Sequence, residues 1–221
     1  MSVETAAVPF SVELKERTWT GHSESEHAGF MHDLMKGEGT LEDYIGLVAQ
    51  HWYMYDALES VEQRFLDDPI ASRVITPKLT RLASVEADLR TLIGEDWREK
   101  IAPLPSTINY CERIREIGAQ GWGGGFVAHH YTRYLGDLSG GQAIGRLMQR
   151  YFGLGPEAVS FYHFAEIPSP VDFKNEYRTE LDSIEWSPEE QTRVVDEVMV
   201  AYRFNTLVFE DLGRAKAGEL A

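Results

Sequence analysis

The chain has 221 residues, of which 43% are hydrophobic, and a formal net charge of −15 at pH 7. This composition predicts a globular protein with a substantial core, and the negative charge excludes a general affinity for nucleic acid, because phosphates would be repelled. The single cysteine, Cys111, excludes an internal disulfide and any four-cysteine metal site.

Neither a membrane span nor an export signal is visible in the sequence. No apolar run reaches 18 residues, the first residues lack the basic start and apolar stretch of a signal peptide, and the last residues are polar. We therefore expect a cytoplasmic protein without a membrane anchor.

Helical periodicity dominates the first half of the chain, beginning with a short helix in residues 10–28. An apolar stripe between Leu41 and Val61 follows Thr40, which is placed to cap a helix. A second stripe predicts a helix that opens near Pro77 and closes at Gly94.

The second half of the chain continues the pattern, with shorter helices predicted for residues 106–118 and 168–183. Ser187 and Pro188 open a long helix, with Glu190 three residues after the cap. No alternating strand, repeat or low-complexity linker is present. The sequence predicts an all-α, single-domain helical bundle over residues 1–221, with flexible tails at about 1–8 and 214–221.

The segment from Ala128 to Gln142 reads as a helix but carries Gly136, Gly140 and Gly141. Each interior glycine costs about 1 kcal/mol relative to alanine. Gly136 and Gly140 share a helix face and leave a bare patch about one turn long, beside the i,i+4 pair of Arg133 and Asp137. This pattern suggests a flat ligand resting on bare backbone, whereas packing by another helix is the alternative.

A second candidate site lies in the first helix, where Glu26 follows His22 by one turn. A metal-ligating histidine usually donates its other N–H to a carboxylate or carbonyl. Lys15 lies on nearly the same face, about 10 Å along the axis. A solvated surface pair is the alternative interpretation of His22 and Glu26.

A rival metal site uses Glu24 and His27, which form the ExxH half-motif of di-iron carboxylate bundles. The chain has no second ExxH, which disfavours that site. His129 and His130 diverge around a helix, so at most one of them faces a site, and a core or surface role is favoured for both. Lys174 and Arg178 form either a basic surface spot or a clamp for carboxylates.

Together these residues resemble the heme oxygenase family over almost the whole chain, most closely its soluble bacterial, actinobacterial-type members. The segment Arg133–Gln142 (RYLGDLSGGQ) resembles the family's distal-helix signature, and His22 with Glu26, followed by Phe30-Met31, resembles its proximal helix. Tyr202 stands where the family often has phenylalanine, and the run Gly121–Gly125 has no explanation from the sequence.

The resemblance implies that heme b lies between a proximal helix and a kinked, glycine-rich distal helix. His22 would be the axial ligand of the heme iron, oriented by Glu26, and Asp137 would organise an ordered-water network. The other implied residues are Gly136, Gly140 and Gly141 against the ring, Tyr55, Arg133 and Asn205 in the network, and Lys15, Tyr131, Lys174 and Arg178 on the propionates.

Heme would then be both cofactor and substrate. The family opens it with dioxygen and external electrons to biliverdin, ferrous iron and carbon monoxide, here for iron acquisition and with α-meso cleavage favoured. The electron donor, a reductase or a ferredoxin, is not identified by the sequence. A heme carrier or sensor without turnover and a di-metal carboxylate oxidase on a related bundle are the competing hypotheses.

Overall fold

The computed structural model describes residues 8–26 and 29–220, without the side chains of residues 24–26. Within these ranges the chain forms α-helices and short 3₁₀ and π segments and contains no strand. The α-helices are α1 (Phe10–Arg17), α2 (Trp19–Glu26), α3 (Gly29–Lys36), α4 (Leu41–Glu62), α5 (Leu82–Ile93), α6 (Trp97–Lys100), α7 (Pro105–Gln120), α8 (Gly123–His130), α9 (Gln142–Phe152), α10 (Pro170–Asp182) and α11 (Pro188–Lys216).

Two long helices, α4 and α11, form the frame of the bundle. The predicted caps are confirmed: Thr40 and Asp43 form a reciprocal capping box at α4, and the Ser187 hydroxyl accepts from the Glu190 N–H at α11. Helix α4 packs against α5 and α7, and α11 packs against α2, α3, α7 and α8. The core is rich in aromatic side chains, among them Tyr44, Tyr55, Tyr110, Tyr134 and Trp97.

Two predicted helix boundaries are wrong. Pro77–Leu79 is a single 3₁₀ turn, and α5 begins only at Leu82 because Thr80 adopts an extended backbone. One helix was predicted for residues 10–28, but the described part, residues 10–26, contains two. They are separated at Thr18, whose hydroxyl donates to the Leu14 carbonyl.

The helix that carries the glycine signature changes its winding along its length. Between α8 and α9, Tyr131–Leu135 and Asp137–Gly141 are wound as π-helix. We refer to residues 123–152 as the distal helix. Wider π turns are frequent at functional sites, and here they coincide with the glycines that predicted a kink.

Close packing explains the glycine run before the distal helix. Gly121 ends α7 in a left-handed conformation, with φ of +63°. A Cβ at Gly123 would lie 2.1 Å from Asp68 Oδ1, and one at Gly124 would lie 2.3 Å from Glu190 Oε1. The run therefore lets the start of α8 approach its neighbours and does not form a ligand site.

A buried carboxylate holds the segment after α9 against α5. Asp88 is fully buried and accepts from the backbone N–H groups of Ser160 and Phe161, at 2.8 and 2.9 Å, and from the Ser160 hydroxyl. The Phe161 ring in turn packs edge-on against Tyr55, with 5.3 Å between centroids. Asp88 thus fixes one of the rings around the candidate site.

We expect Asp88→Ala to destabilise the protein by about 3 kcal/mol, because it leaves buried donors without an acceptor. Chemical denaturation of the heme-free protein measures this loss. Asp96→Ala is the control: Asp96 lies on the surface, paired with Lys100, and its loss should barely move the midpoint. Equal midpoints for the two variants would contradict the anchoring role.

Candidate ligand cleft and the buried polar cluster behind it

A cleft of about 710 Å³, measured out to open solvent, separates α2 from the distal helix. Its lining combines cationic, aromatic and small residues: Lys15, Thr18, Trp19, His22, Tyr131, Leu135, Gly136, Ser139, Arg178 and Tyr202. The described part of the chain contains no group of three or more side chains able to hold a bare metal ion.

The wall formed by the distal helix is bare backbone. A Cβ at Gly136 or Gly140 would meet no atom within 4 Å, so no helix packs on either glycine. The packing interpretation is therefore wrong for this pair. Gly141 differs: a Cβ there would lie 2.8 Å from Tyr162 Cδ1, so this glycine faces the protein interior.

The opposite wall carries His22 among aromatic rings. Trp19 stacks on the His22 imidazole with 5.4 Å between centroids, and Tyr202 approaches it edge-on at 5.6 Å. Trp19 was not predicted as a cleft residue, although its position three residues before His22 places it on the same helix face. The Glu26 side chain, His27 and the side chain of Glu24 lie outside the described residues.

Cationic side chains lie at the rim of the cleft. Lys15 and Arg178 are part of its lining. Lys174 is not, but its ammonium donates to the Ser139 hydroxyl at 3.0 Å, and Ser139 lines the cleft. Burial and the neighbouring Arg178 charge lower the pKa of Lys174. These groups form a positive edge on an otherwise acidic protein, which suits a ligand with carboxylates.

Asp137 lies behind the bare glycine wall and joins it to the core. It accepts a short hydrogen bond from the Tyr55 hydroxyl. Arg133 donates from Nη1 to Asn205 Oδ1 at 3.0 Å, and its guanidinium carbon lies 5.2 Å from the Tyr55 ring centre. The structure thus brings together the four polar residues that the sequence assigned to one network.

Burial raises the pKa of the Asp137 carboxyl above its usual range, although the Arg133 charge and the Tyr55 hydrogen bond oppose this shift. Among the described residues, Arg133 Nε and Nη2 and the Tyr110 hydroxyl are buried without a hydrogen-bond partner. Buried donors of this kind usually bond to ordered water. The cluster is therefore suited to holding water close to Asp137.

The histidines of the distal helix are core residues, as the sequence favoured. His129 Nε2 lies 2.9 Å from Glu197 Oε1, and Glu197 also binds Arg113 through both carboxylate oxygens. His130 Nδ1 lies 2.9 Å from the Tyr177 hydroxyl, and burial lowers its pKa to about 3. Neither histidine lines the cleft.

A cleft with an imidazole on one wall, bare helix backbone on the other and cations at the rim fits a flat, anionic tetrapyrrole. Fold and site thus define an all-helical protein of the tetrapyrrole-binding class. The family model described as heme oxygenase matches residues 8–211. The chain belongs to the heme oxygenase family.

Individual relatives agree with the family match. A heme oxygenase of Takifugu rubripes is 41% identical over 204 residues, covering 91% of this chain and 73% of the relative. The crystal structure of heme oxygenase-1 from the cyanobacterium Synechocystis, in complex with heme, superposes with a TM-score of 0.88 at 34% identity, covering 95% and 96% of the two chains. Heme oxygenase-2 from Synechocystis, in complex with heme and NO, gives 0.90 at 32% identity, covering 96% and 88%.

The chain is therefore an enzyme that degrades heme to biliverdin, with heme as both cofactor and substrate. Family membership favours this activity over a carrier, a sensor or a di-metal oxidase. None of the helices in the described part of the chain is long and apolar enough to cross a membrane.

Alanine substitutions at two glycines of the distal helix should have opposite effects on protein stability. Gly136→Ala should leave the heme-free protein as stable or up to about 1 kcal/mol more stable, because open space receives the methyl group, but should weaken heme binding. Gly141→Ala should cost about 1–3 kcal/mol through its clash with Tyr162. Denaturation midpoints and hemin titrations measure both effects, and an equal loss of stability in the two variants would contradict this division.

Proposed function

We propose that heme binds in the cleft between α2 and the distal helix, with His22 as the axial ligand of its iron. The observation that carries this proposal is the open space over Gly136, which lines the same cleft as the His22 imidazole; Gly140, one turn later, is likewise uncovered. When bound, heme supplies the iron that activates dioxygen and the ring carbon that is oxidised. Glu26 is one turn from His22 in α2 and is the proposed partner that orients its imidazole.

The rim residues hold the propionates and so set the orientation of the ring. Lys15 and Arg178 line the cleft directly, Lys174 reaches its edge through Ser139, and Tyr131 lies beside Arg178. Carboxylates are the groups that guanidinium and ammonium donors bind most specifically. The orientation fixed in this way favours cleavage at the α-meso carbon.

The bare backbone at Gly136 and Gly140 lets the distal helix approach the ring, while Gly141 serves the same approach from the other side by packing on Tyr162. The backbone at these glycines would limit the space beside a bound heme and so would favour oxidation at the edge of the ring. The π-wound segments lie on either side of Gly136, which lines the cleft, and Arg133 on the first of them is buried in the core.

Asp137 supplies protons through water. Burial raises the pKa of its carboxyl, and Tyr55, Arg133 and Asn205 fix the position of that carboxyl and of the water around it. General acids of this kind contribute about 10²–10⁴-fold to a rate.

The reaction needs dioxygen and electrons that this chain does not carry. We propose an external reductase or ferredoxin as the donor, a cytoplasmic location where reduced carriers are available, and recovery of iron from heme as the purpose. The basic rim of the cleft makes the exposed edge of the site the natural point of electron entry.

His22→Ala tests the axial ligand. We expect the hemin-loaded variant to lose the absorption spectrum of the wild type, because the iron loses its protein nitrogen ligand. His163→Ala is the matched control, since His163 is exposed and lies outside the cleft. An unaltered heme spectrum in His22→Ala would refute the assignment.

Asp137→Ala tests proton delivery. The variant should bind hemin with near wild-type affinity, because Asp137 does not line the cleft, but should form biliverdin at least about 10²-fold more slowly. Absorbance is followed after adding ascorbate in air with catalase present. Biliverdin formation at the wild-type rate would exclude the proposed role.

A further inference from the structure

The His22 imidazole contacts aromatic rings on two sides. Trp19, one turn earlier in α2, lies nearly parallel to it, with 13° between the ring planes and 5.4 Å between the centroids. Tyr202 of α11 meets the imidazole edge-on, at 79° and 5.6 Å. Both separations are those of aromatic contact. Because one ring covers a face and the other an edge, together they oppose rotation of the imidazole about its bond to Cβ. We refer to Trp19 and Tyr202 as the aromatic pair.

Trp19 is the one exposed tryptophan of the five in the chain. It is 58% exposed, whereas the other four are buried or half-buried. An indole stabilises the fold mainly through the area that it buries, so packing in the core does not explain this residue. Trp19 lies in the lining of the cleft and stacks on His22. Its position therefore points to a role at the ligand site.

Gly21 sets the distance at which Tyr202 reaches His22. A Cβ at Gly21 would lie 3.1 Å from the Sδ and Cε atoms of Met199 and 3.2 Å from the Cβ of Tyr202. The end of the Met199 side chain can move, but the Cβ of Tyr202 moves only with the backbone of α11. Glycine is unfavourable inside a helix, and here the close approach of α2 to α11 accounts for it.

We propose that the aromatic pair, held at contact distance by Gly21, positions the His22 imidazole to ligate the heme iron. The proposal rests on the axial role of His22 proposed above. The two rings hold the imidazole in one orientation, so that it need not be ordered when heme binds. Trp19 and Tyr202 act through His22 and are therefore positioning residues.

This role is complementary to that of Glu26. A carboxylate that accepts from one ring nitrogen fixes the tautomer of a ligating histidine, whereas contacts on the face and on the edge of the ring fix its plane. Trp19 comes from the same helix as His22, and Tyr202 comes from α11. The plane of the imidazole is thus tied both to its own helix and to the frame of the bundle.

NMR of the heme-free protein gives the first test. An aromatic ring displaces the signals of protons that lie over its face, so the His22 ring protons should resonate away from those of the exposed His163. Trp19→Ala should move them toward the His163 positions, whereas Trp19→Phe should keep much of the displacement. Thr20→Ala is the control, because Thr20 is exposed on α2 and lies outside the cleft lining. His22 signals that do not respond to Trp19→Ala overturn the proposal.

Hemin titrations test whether Trp19 acts through His22. Trp19→Ala should weaken hemin binding roughly threefold to tenfold, which corresponds to the loss of one aromatic contact, and Thr20→Ala should not. In the His22→Ala background the same substitution should change the affinity by less than about twofold, because no imidazole remains to be positioned. An equal loss in both backgrounds would mean that the indole binds the ligand directly, and overturns the proposal.

Gly21→Ala tests the seating of the aromatic pair from the other helix. The added methyl group should displace Tyr202 from His22, move the His22 ring signals and weaken hemin binding, although alanine is the better helix former. Gly29→Ala is the matched control, because a Cβ at Gly29 would meet no atom within 4 Å, and it should match the wild type in both measurements. Wild-type His22 signals and hemin affinity in Gly21→Ala overturn the proposal.

Tyr202 is tested by two substitutions of different character. Tyr202→Leu removes the aromatic edge and should move the His22 signals, whereas Tyr202→Phe keeps the edge and should retain them. A wild-type heme spectrum in His22→Ala would show that the axial role of His22 fails. If His22→Ala loses that spectrum while Trp19→Ala and Tyr202→Leu alter neither the His22 signals nor the hemin affinity, the positioning role alone fails.

Discussion

The buried face of the distal helix is the constraint on which the rest of the structure depends. Three glycines in its middle cost about 3 kcal/mol of helix stability, and two of them face open space with nothing packed upon them. The other face compensates through hydrogen bonds to α4 and α11, made by Arg133, Tyr134 and Asp137. The helix can present bare backbone to the cleft because hydrogen bonds on its other face hold it to the core.

The same bonding explains why the pKa values of two carboxyls, on Glu197 and Asp137, are shifted in opposite directions. Glu197 receives two donors from Arg113 and one contact from His129, which outweigh burial and lower its pKa to about 2. The cationic neighbour of Asp137 is Arg133, but Arg133 donates its hydrogen bond to Asn205 and not to Asp137. Burial then dominates and raises the pKa of Asp137. Which acceptor the neighbouring arginine binds, and not the depth of burial alone, therefore decides whether the pKa of a carboxyl is lowered or raised. A carboxyl with a lowered pKa serves the structure, whereas one with a raised pKa is suited to proton transfer.

The sequence predicted most of this fold because helix caps are local. Thr40 and Ser187 cap their helices as the sequence pattern predicted. The start of α5 was predicted too early. Thr80 does not continue the helix, and the backbone N–H groups of Arg81 and Leu82 donate to Glu59 on α4. Contacts between residues that are far apart in the chain leave no periodic pattern in the sequence.

The candidate site likewise has features that the sequence predicts and features that only the fold shows. The spacing of Gly136 and Gly140 shows that they share a face, but only the fold shows that this face is open and that Gly141 meets Tyr162 from a distant 3₁₀ turn. The π winding is likewise invisible to a pattern based on 3.6 residues per turn. The family signature implied roles that stay predictions, whereas the stacking of Trp19 on His22 appears only in the packed structure.

The two walls of the cleft are held with unequal strength. The distal wall belongs to a helix bonded into the core, but the proximal wall rests on α1 and α2, each of eight residues, a length that is marginal for an isolated helix. A ligand bound by both walls stabilises the folded state according to its concentration and affinity. Because α1 and α2 are short in their own right, the packing of α2 against α11 holds the proximal wall in place, whereas hydrogen bonds to two neighbouring helices hold the distal wall.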